Sequence, residues 1–240
     1  MCNVTKSNCL DSERATLLTK PTGLTGLSEF TDDLPIHAVM TDDPMRARML
    51  AAHWLDDAKV IYELRGMIGY TGTYLGVPLT LLSSGFGDAS AIMYLHDARL
   101  LGMQRVFYIG ECISHARGIK LRDVIIATGG DPALMQCALA AAGEHSIPVA
   151  VHAVATHESV LADDTETRSD ITDFASEAIS KYTTANGIAA LSILTVSQNT
   201  ATGERIEEHE RQSRFHAASK LVFEALALDG RRQQKASTRE

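Results

Sequence analysis

"RVFYIGECISHARGIKLRDVIIATGG", residues 105–130, contains two runs, RVFYI and DVIIAT, that are apolar almost throughout. Strands that alternate apolar and polar residues are covered on one face only; continuous runs of this kind belong to strands buried on both faces. Outward from this stretch, "PIHAVMT" (35–41), "IPVAVHAV" (147–154) and "IAALSILTV" (188–196) read the same way. Helical patterns separate them. One begins at Asp43-Pro44, a cap followed by a first-turn proline, with Met45, Met49, Leu50 and Trp54 as its apolar stripe. Others cover 88–103, about 132–143, about 172–185 and about 204–228. "AKVIYEL" (58–64) is a further strand, and the Gly-punctuated stretch after it reads as a hairpin turning at Leu75-Gly76. Buried strands alternating with helices predict an α/β fold: a single-domain, three-layer sandwich around a mixed, largely parallel twisted sheet.

The 240 residues are 45% hydrophobic, enough for one large core, and carry a net charge of −8. That charge disfavours nucleic acid and anionic membranes as partners, because binding either is dominated by positive charge. No apolar run reaches the ~18 residues of a membrane span, and the N-terminus lacks the apolar segment of a secretory signal. The four cysteines follow no zinc spacing, so no metal is expected and a reduced, cytoplasmic protein is. Residues 1–34, rich in Ser and Thr, read as a flexible extension, 35–230 as the domain and 231–240 as a polar tail.

Open α/β sheets bind ligands beyond the carboxyl ends of their strands. That directs attention to the loops at 41–46, 84–88, 110–114 and 197–200. In the first, Arg46 follows the backbone N–H groups of a helix start, which together could hold an anion; the alternative is an ion pair with Asp42 or Glu63. "SSGFGDAS" puts Gly87 and Asp88 in a turn that either cradles a ligand or is simply tight. Arg65, at a hairpin, reads by itself as a solvated arginine. Cys112 reads as a small buried hydrophobe. Glu111 places a carboxylate at a strand end where a ligand would come close.

Taken together, "TDDPMRAR", "RGMIGYTGTYLGVPLTLLSSGFG", "LRDVII", "LSILTVSQ" and "HERQSRF" resemble, in order and spacing, the bacterial hexameric-type purine nucleoside phosphorylases. The pattern of that family runs roughly GDPxRAK, RGMLGFTGTYKG…GHGMG, GSCG, LRDVV, VEMEA, TVSD and ERQ. The resemblance spans about residues 35–228 and implies an α/β sandwich assembled as a dimer or trimer of dimers. It further implies cleavage of the N-glycosidic bond of a purine nucleoside, with phosphate as co-substrate and no other cofactor. Carried over, Arg46 is the phosphate arginine and Arg65 the arginine that reaches a neighbour's phosphate site. Arg211 is the arginine that holds the catalytic acid, and Gly87, Asp88 and Cys112 fall among the substrate-binding positions.

Several positions differ from the pattern. Asp42 replaces the glycine of GDP, Tyr108 an arginine for phosphate, and Glu111 the phosphate-binding serine of GSCG. A like-charge contact at ~4 Å costs about 4 kcal/mol at an effective dielectric of ~20, which opposes phosphate here. Gln198 takes the place of the aspartate that acts as general acid. Without gaps, Ala175 takes the place of the ribose-gripping glutamate; a two-residue shift would put Glu177 there. Three functions follow: phosphorolysis of purine nucleosides, hydrolysis by a water activated at Glu111, or a non-catalytic subunit that works beside an active paralogue.

Overall fold

The structure, a computed structural model, describes residues 21–31, 33–157, 169–207, 210 and 215–238. The predicted hairpin forms where expected. Strands β3 (Met67–Tyr74) and β4 (Val77–Ser83) pair antiparallel, and Leu75 and Gly76 adopt left-handed φ values of 46° and 78° between them. Such a two-residue turn matches the twist of the strands it joins. On its other edge β3 pairs with β2 (Asp56–Leu64). β4 runs parallel to β1 (His37–Thr41), and β1 parallel to β5 (Arg105–Ser114). Then come β10 (Ala189–Asn199), parallel to β5, β6 (Val124–Ala127), antiparallel to β10, and β7 (Val149–His152), parallel to β6. The order β2-β3-β4-β1-β5-β10-β6-β7 is the mixed sheet with a parallel centre that the buried runs imply. Short strands β8 (Ala155–Thr156), β9 (Ile171–Asp173) and β11 (Glu204–Arg205) extend its carboxyl edge.

Alternate strand residues feed two apolar cores. Val39, Phe107, Ile109 and Ile193 face helices α2 (Pro44–Trp54), α4 (Pro132–Glu144) and α6 (His216–Ser237). Met40, Val106, Tyr108 and Leu194 face α1 (Leu27–Phe30), α3 (Asp88–Leu100) and α5 (Ser176–Ala185). This is the three-layer sandwich. Of the described residues, no helix is long and apolar enough to cross a membrane.

Three expectations need correction. The last helix begins at His216, not near 204, because Glu204–Arg205 pairs with the end of β10; it then runs on to Ser237, through most of the stretch read as a tail. The helix expected from about 172 starts at Ser176, since Ile171 and Thr172 pair with the end of β5. The third concerns α2. Its N-terminus is as predicted, with the Asp43 carboxylate accepting from the Met45 N–H. Its buried face, however, is Arg46, Ala47, Leu50 and Ala51, and Met45 is exposed.

Within the stretch read as an extension, residues 22–30 pack on the domain. The Asp97 carboxylate, fully buried on α3, accepts from the Thr22 N–H and from the Thr22 and Thr25 hydroxyls. Leu27 is fully buried.

Candidate functional site

The inward turn of Arg46 creates the site. Its guanidinium lies below the carboxyl ends of β1 and β5, is 1% exposed, and sits 4.5 Å from the centroid of the Phe215 ring. Nη1 donates to Asp42 Oδ1 at 2.6 Å and Thr41 Oγ1 at 3.2 Å; Nη2 donates to Glu111 Oε1 at 2.7 Å. The predicted anion-binding arginine is therefore buried and held between two carboxylates of its own chain. Burial by itself would lower its pKa; the charges of Asp42, Glu111 and Asp43 outweigh burial and raise it. Ion pairing with Asp42 was the sequence alternative, and the structure adds Glu111, 65 residues away. Glu63 pairs instead with Arg48, at 2.5 Å.

Gly110 gives Glu111 its setting. A Cβ there would lie 2.6 Å from Cε1 of Tyr108 and 3.1 Å from Cδ2 of Leu194. The glycine thus makes room for the Tyr108 ring, which fills the position of the pattern's arginine. Burial raises the Tyr108 pKa well above the usual value, and the charges of Asp42 and Asp173 add to this, so the phenol is neutral. Cys112 is 1% exposed; burial, then Asp173 and Glu111, push its thiol up as well, which makes it unreactive.

Sequence reasoning passed over Asp173. It is buried, with Oδ1 accepting from the Thr156 hydroxyl at 2.8 Å and Oδ2 from the Ser176 N–H at 2.8 Å and the Ser176 hydroxyl. Burial raises its pKa against the pull of those bonds. Ala175 is buried and supplies no carboxylate. Glu177 turns away to Lys181 at 2.5 Å and the Thr156 N–H at 3.4 Å; the Lys181 contact lowers its pKa.

The remaining candidates scatter. Gln198 is half-buried on β10 beside Ile113 of β5, after a register shift. Gly87 precedes α3 with φ 94°, and Asp88 Oδ1 accepts from the Ala89 N–H of that helix, at 2.6 Å. Arg65 lies at the exposed tip of the β2–β3 hairpin, where Nη1 donates to the Leu24 carbonyl at 2.9 Å. Arg211 lies outside the described residues. Not singled out were Thr41, Phe215 and the bonds of His115, whose ring joins Thr200 Oγ1 at 2.8 Å and Thr172 Oγ1 at 2.9 Å. Thr41 and Thr200 lay in loops the sequence marked as ligand-facing, and Phe215 in the motif "HERQSRF". Among the described residues no cluster of three or more His, Cys, Asp or Glu could hold a metal. A cavity of about 470 Å³ at the opposite end of the sheet contains none of these groups. Its charged lining is engaged, Arg105 with Asp229 and Asp131 with the N-terminus of α4.

A family model described as "Phosphorylase superfamily" matches residues 36–130. The DeoD-type purine nucleoside phosphorylase of Bacillus subtilis (strain 168) is 30% identical over 216 residues, 79% of this chain and 93% of that one. The DeoD-type enzyme of Psychromonas ingrahamii is 30% identical over 219 residues, with 80% and 93% covered. In fold the chain is similar to a crystal structure of purine nucleoside phosphorylase from Toxoplasma gondii in complex with immucillin-H. The TM-score is 0.75 at 20% identity, covering 84% of this chain and 94% of that one.

Proposed function

Because the chain belongs to the nucleoside phosphorylase superfamily, we propose that it is a purine-binding member of that family that does not cleave nucleosides with free phosphate. One observation carries this reading: the buried Arg46 guanidinium is already neutralised by Asp42 and Glu111, at 2.6 and 2.7 Å. Phosphorolysis needs an anion held against the anomeric carbon and a proton delivered to the departing base. Here an incoming phosphate would have to displace two carboxylates that also repel it. Gln198, in the general-acid position, has no proton to give at neutral pH.

The role proposed is therefore binding or regulation, in the cytoplasm, as one subunit of a dimer or trimer of dimers. Arg65 at the hairpin tip could serve an active paralogue's site once released from Leu24. Hydrolysis fits less well, because the Glu111 carboxylate that would activate water is committed to Arg46. Phosphorolysis remains the competing reading, supported by the two 30%-identical relatives, both called purine nucleoside phosphorylases.

The test incubates purified protein with a panel of purine nucleosides, with and without phosphate, and measures released base. No release in either arm, with purines still raising the melting temperature, is expected. Phosphate-dependent release overturns the proposal, and release without phosphate replaces it with hydrolysis.

A further inference from the structure

The amino ends of β1 and β4 run side by side, with His37 opposite Leu79. There Ile36, His37, Val77 and Pro78 line a cavity of about 380 Å³, at the other end of β1 from Arg46. The last helix, α6, adds Gly230 and Gln233, which stand three apart and so share a helix face. A Cβ on Gly230 would lie 2.6 Å from both Cγ atoms of Val77, so the glycine lets the helix come this close. The volume falls within the roughly 300–1,000 Å³ of small-molecule sites, which are mostly apolar with a few placed polar groups.

The buried polar group of this wall is His37, 3% exposed. Its Nε2 lies 3.0 Å from Asp229 Oδ2, and Arg105 Nη2 donates to Asp229 Oδ1 at 2.8 Å. Burial alone would raise the Asp229 pKa, but the bonds from His37 and Arg105 hold it below the ordinary value. The carboxylate is therefore ionised at neutral pH and can only accept, so the hydrogen of the His37 contact sits on Nε2. In the neutral ring that leaves a lone pair on Nδ1. Among the described residues Nδ1 has no hydrogen-bond partner. An acceptor held in place by a buried ion pair, on an otherwise apolar wall, selects what can enter. A hydrocarbon would cover Nδ1 and leave it unpaired. A carboxylate would bring a second acceptor. Among the described residues no Lys, Arg, Asp or Glu side chain lines the cavity to compensate a charge of either sign. A neutral hydroxyl meets both conditions.

We infer that this cavity binds a small uncharged molecule made of an apolar ring and a hydroxyl group, the hydroxyl donating to His37 Nδ1. Isothermal titration of the full chain tests it with 4-methylphenol and its methyl ether, 4-methylanisole, which keeps the ring and the oxygen but lacks the donor. The phenol should bind about fivefold or more tightly than the ether, the worth of one hydrogen bond. Ile36→Trp fills the cavity and should weaken 4-methylphenol by about tenfold or more. Because Ile36 is 38% exposed, the fold tolerates that change. His37→Phe keeps a ring in place and removes Nδ1, so the two ligands should then bind equally. The first two measurements decide the matter if His37→Phe does not fold. Equal affinities for the phenol and its ether in the wild type would overturn the inference. So would 4-methylphenol binding unchanged by Ile36→Trp, or no binding of either ligand at about 5 mM.

Discussion

Replacing Glu111 by serine should open the phosphate site. Among the described residues, Arg46 contributes one positive charge and its partners Asp42 and Glu111 two negative charges. Without Glu111 the remaining Arg46–Asp42 pair is neutral. Removing one unit charge from ~4 Å of a phosphate is worth about 4 kcal/mol at an effective dielectric of ~20. That corresponds to roughly a thousandfold in affinity and is an upper bound. The Glu111 side chain is 19% exposed, so solvent screens part of it, and a gain of ten- to a thousandfold is expected. The lost charged hydrogen bond should cost about 1–3 kcal/mol of stability, or ~2–4 °C of melting temperature per kcal/mol for a domain this size. Thermal melts titrated with phosphate separate the two effects. The variant should melt below the wild type without phosphate and recover by about 2.7 kcal/mol when phosphate reaches ~100 times its Kd. Adding Tyr108→Arg should strengthen the response further. A wild type stabilised by phosphate as strongly as the variant, or a variant that gains nothing, would refute the electrostatic argument.

Gly110→Ala should destabilise the protein by about 1–3 kcal/mol in urea melts, because its Cβ would overlap the Tyr108 ring and crowd Leu194. Asp229→Ala should cost about 3 kcal/mol, since the carboxylate, itself 1% exposed, ties His37 and Arg105 to the last helix. Burial raises the Asp229 pKa, but the bonds from His37 and Arg105 bring it below the ordinary value. Its contribution is therefore complete above the unfolded value of about 3.9 and lost as pH falls through the folded one; acid melts of Asp229→Asn should lack that loss. For His115, burial first and then His157 lower the pKa, so the unfolded chain binds the proton more readily. Stability should fall as pH drops below about 6.5, and His115→Gln should flatten that part of the pH–stability curve.

The sheet and most helix starts were legible because they depend on local pattern: apolar runs, the Asp43-Pro44 cap and the Leu75-Gly76 turn. The last helix was misplaced because "GERIEEHERQ" has helix-forming composition, whereas pairing with β10 takes its first residues. Asp173 resembled a helix residue; it is the last residue of β9 and accepts from the Ser176 N–H at the start of α5. The contents of the site were harder to read. An arginine between Met45 and Ala47 in a helix is normally assigned to the solvent face, and nothing nearby in sequence shows that Arg46 points inward. Its partner Glu111 lies 65 positions away and its aromatic neighbour Phe215 further still, so only the fold brings them together.

That geometry gives the substitutions a common physical cause. A guanidinium buried to 1% exposure cannot remain without counter-charge, because an uncompensated buried ion costs several kcal/mol. In a site that binds phosphate the substrate supplies part of that charge, and only while it is bound. Here Asp42 and Glu111 supply it permanently, and Tyr108 takes the place of a second cation that would need neutralising in turn. Each change taken singly looks like damage to an anion site. Together they surround the guanidinium with counter-charge from the protein itself, and Arg46 ties the carboxyl ends of β1 and β5 together. The arginine retained from the family pattern is therefore weak support for retained phosphorolysis. In this chain it works as a structural tie between β1 and β5.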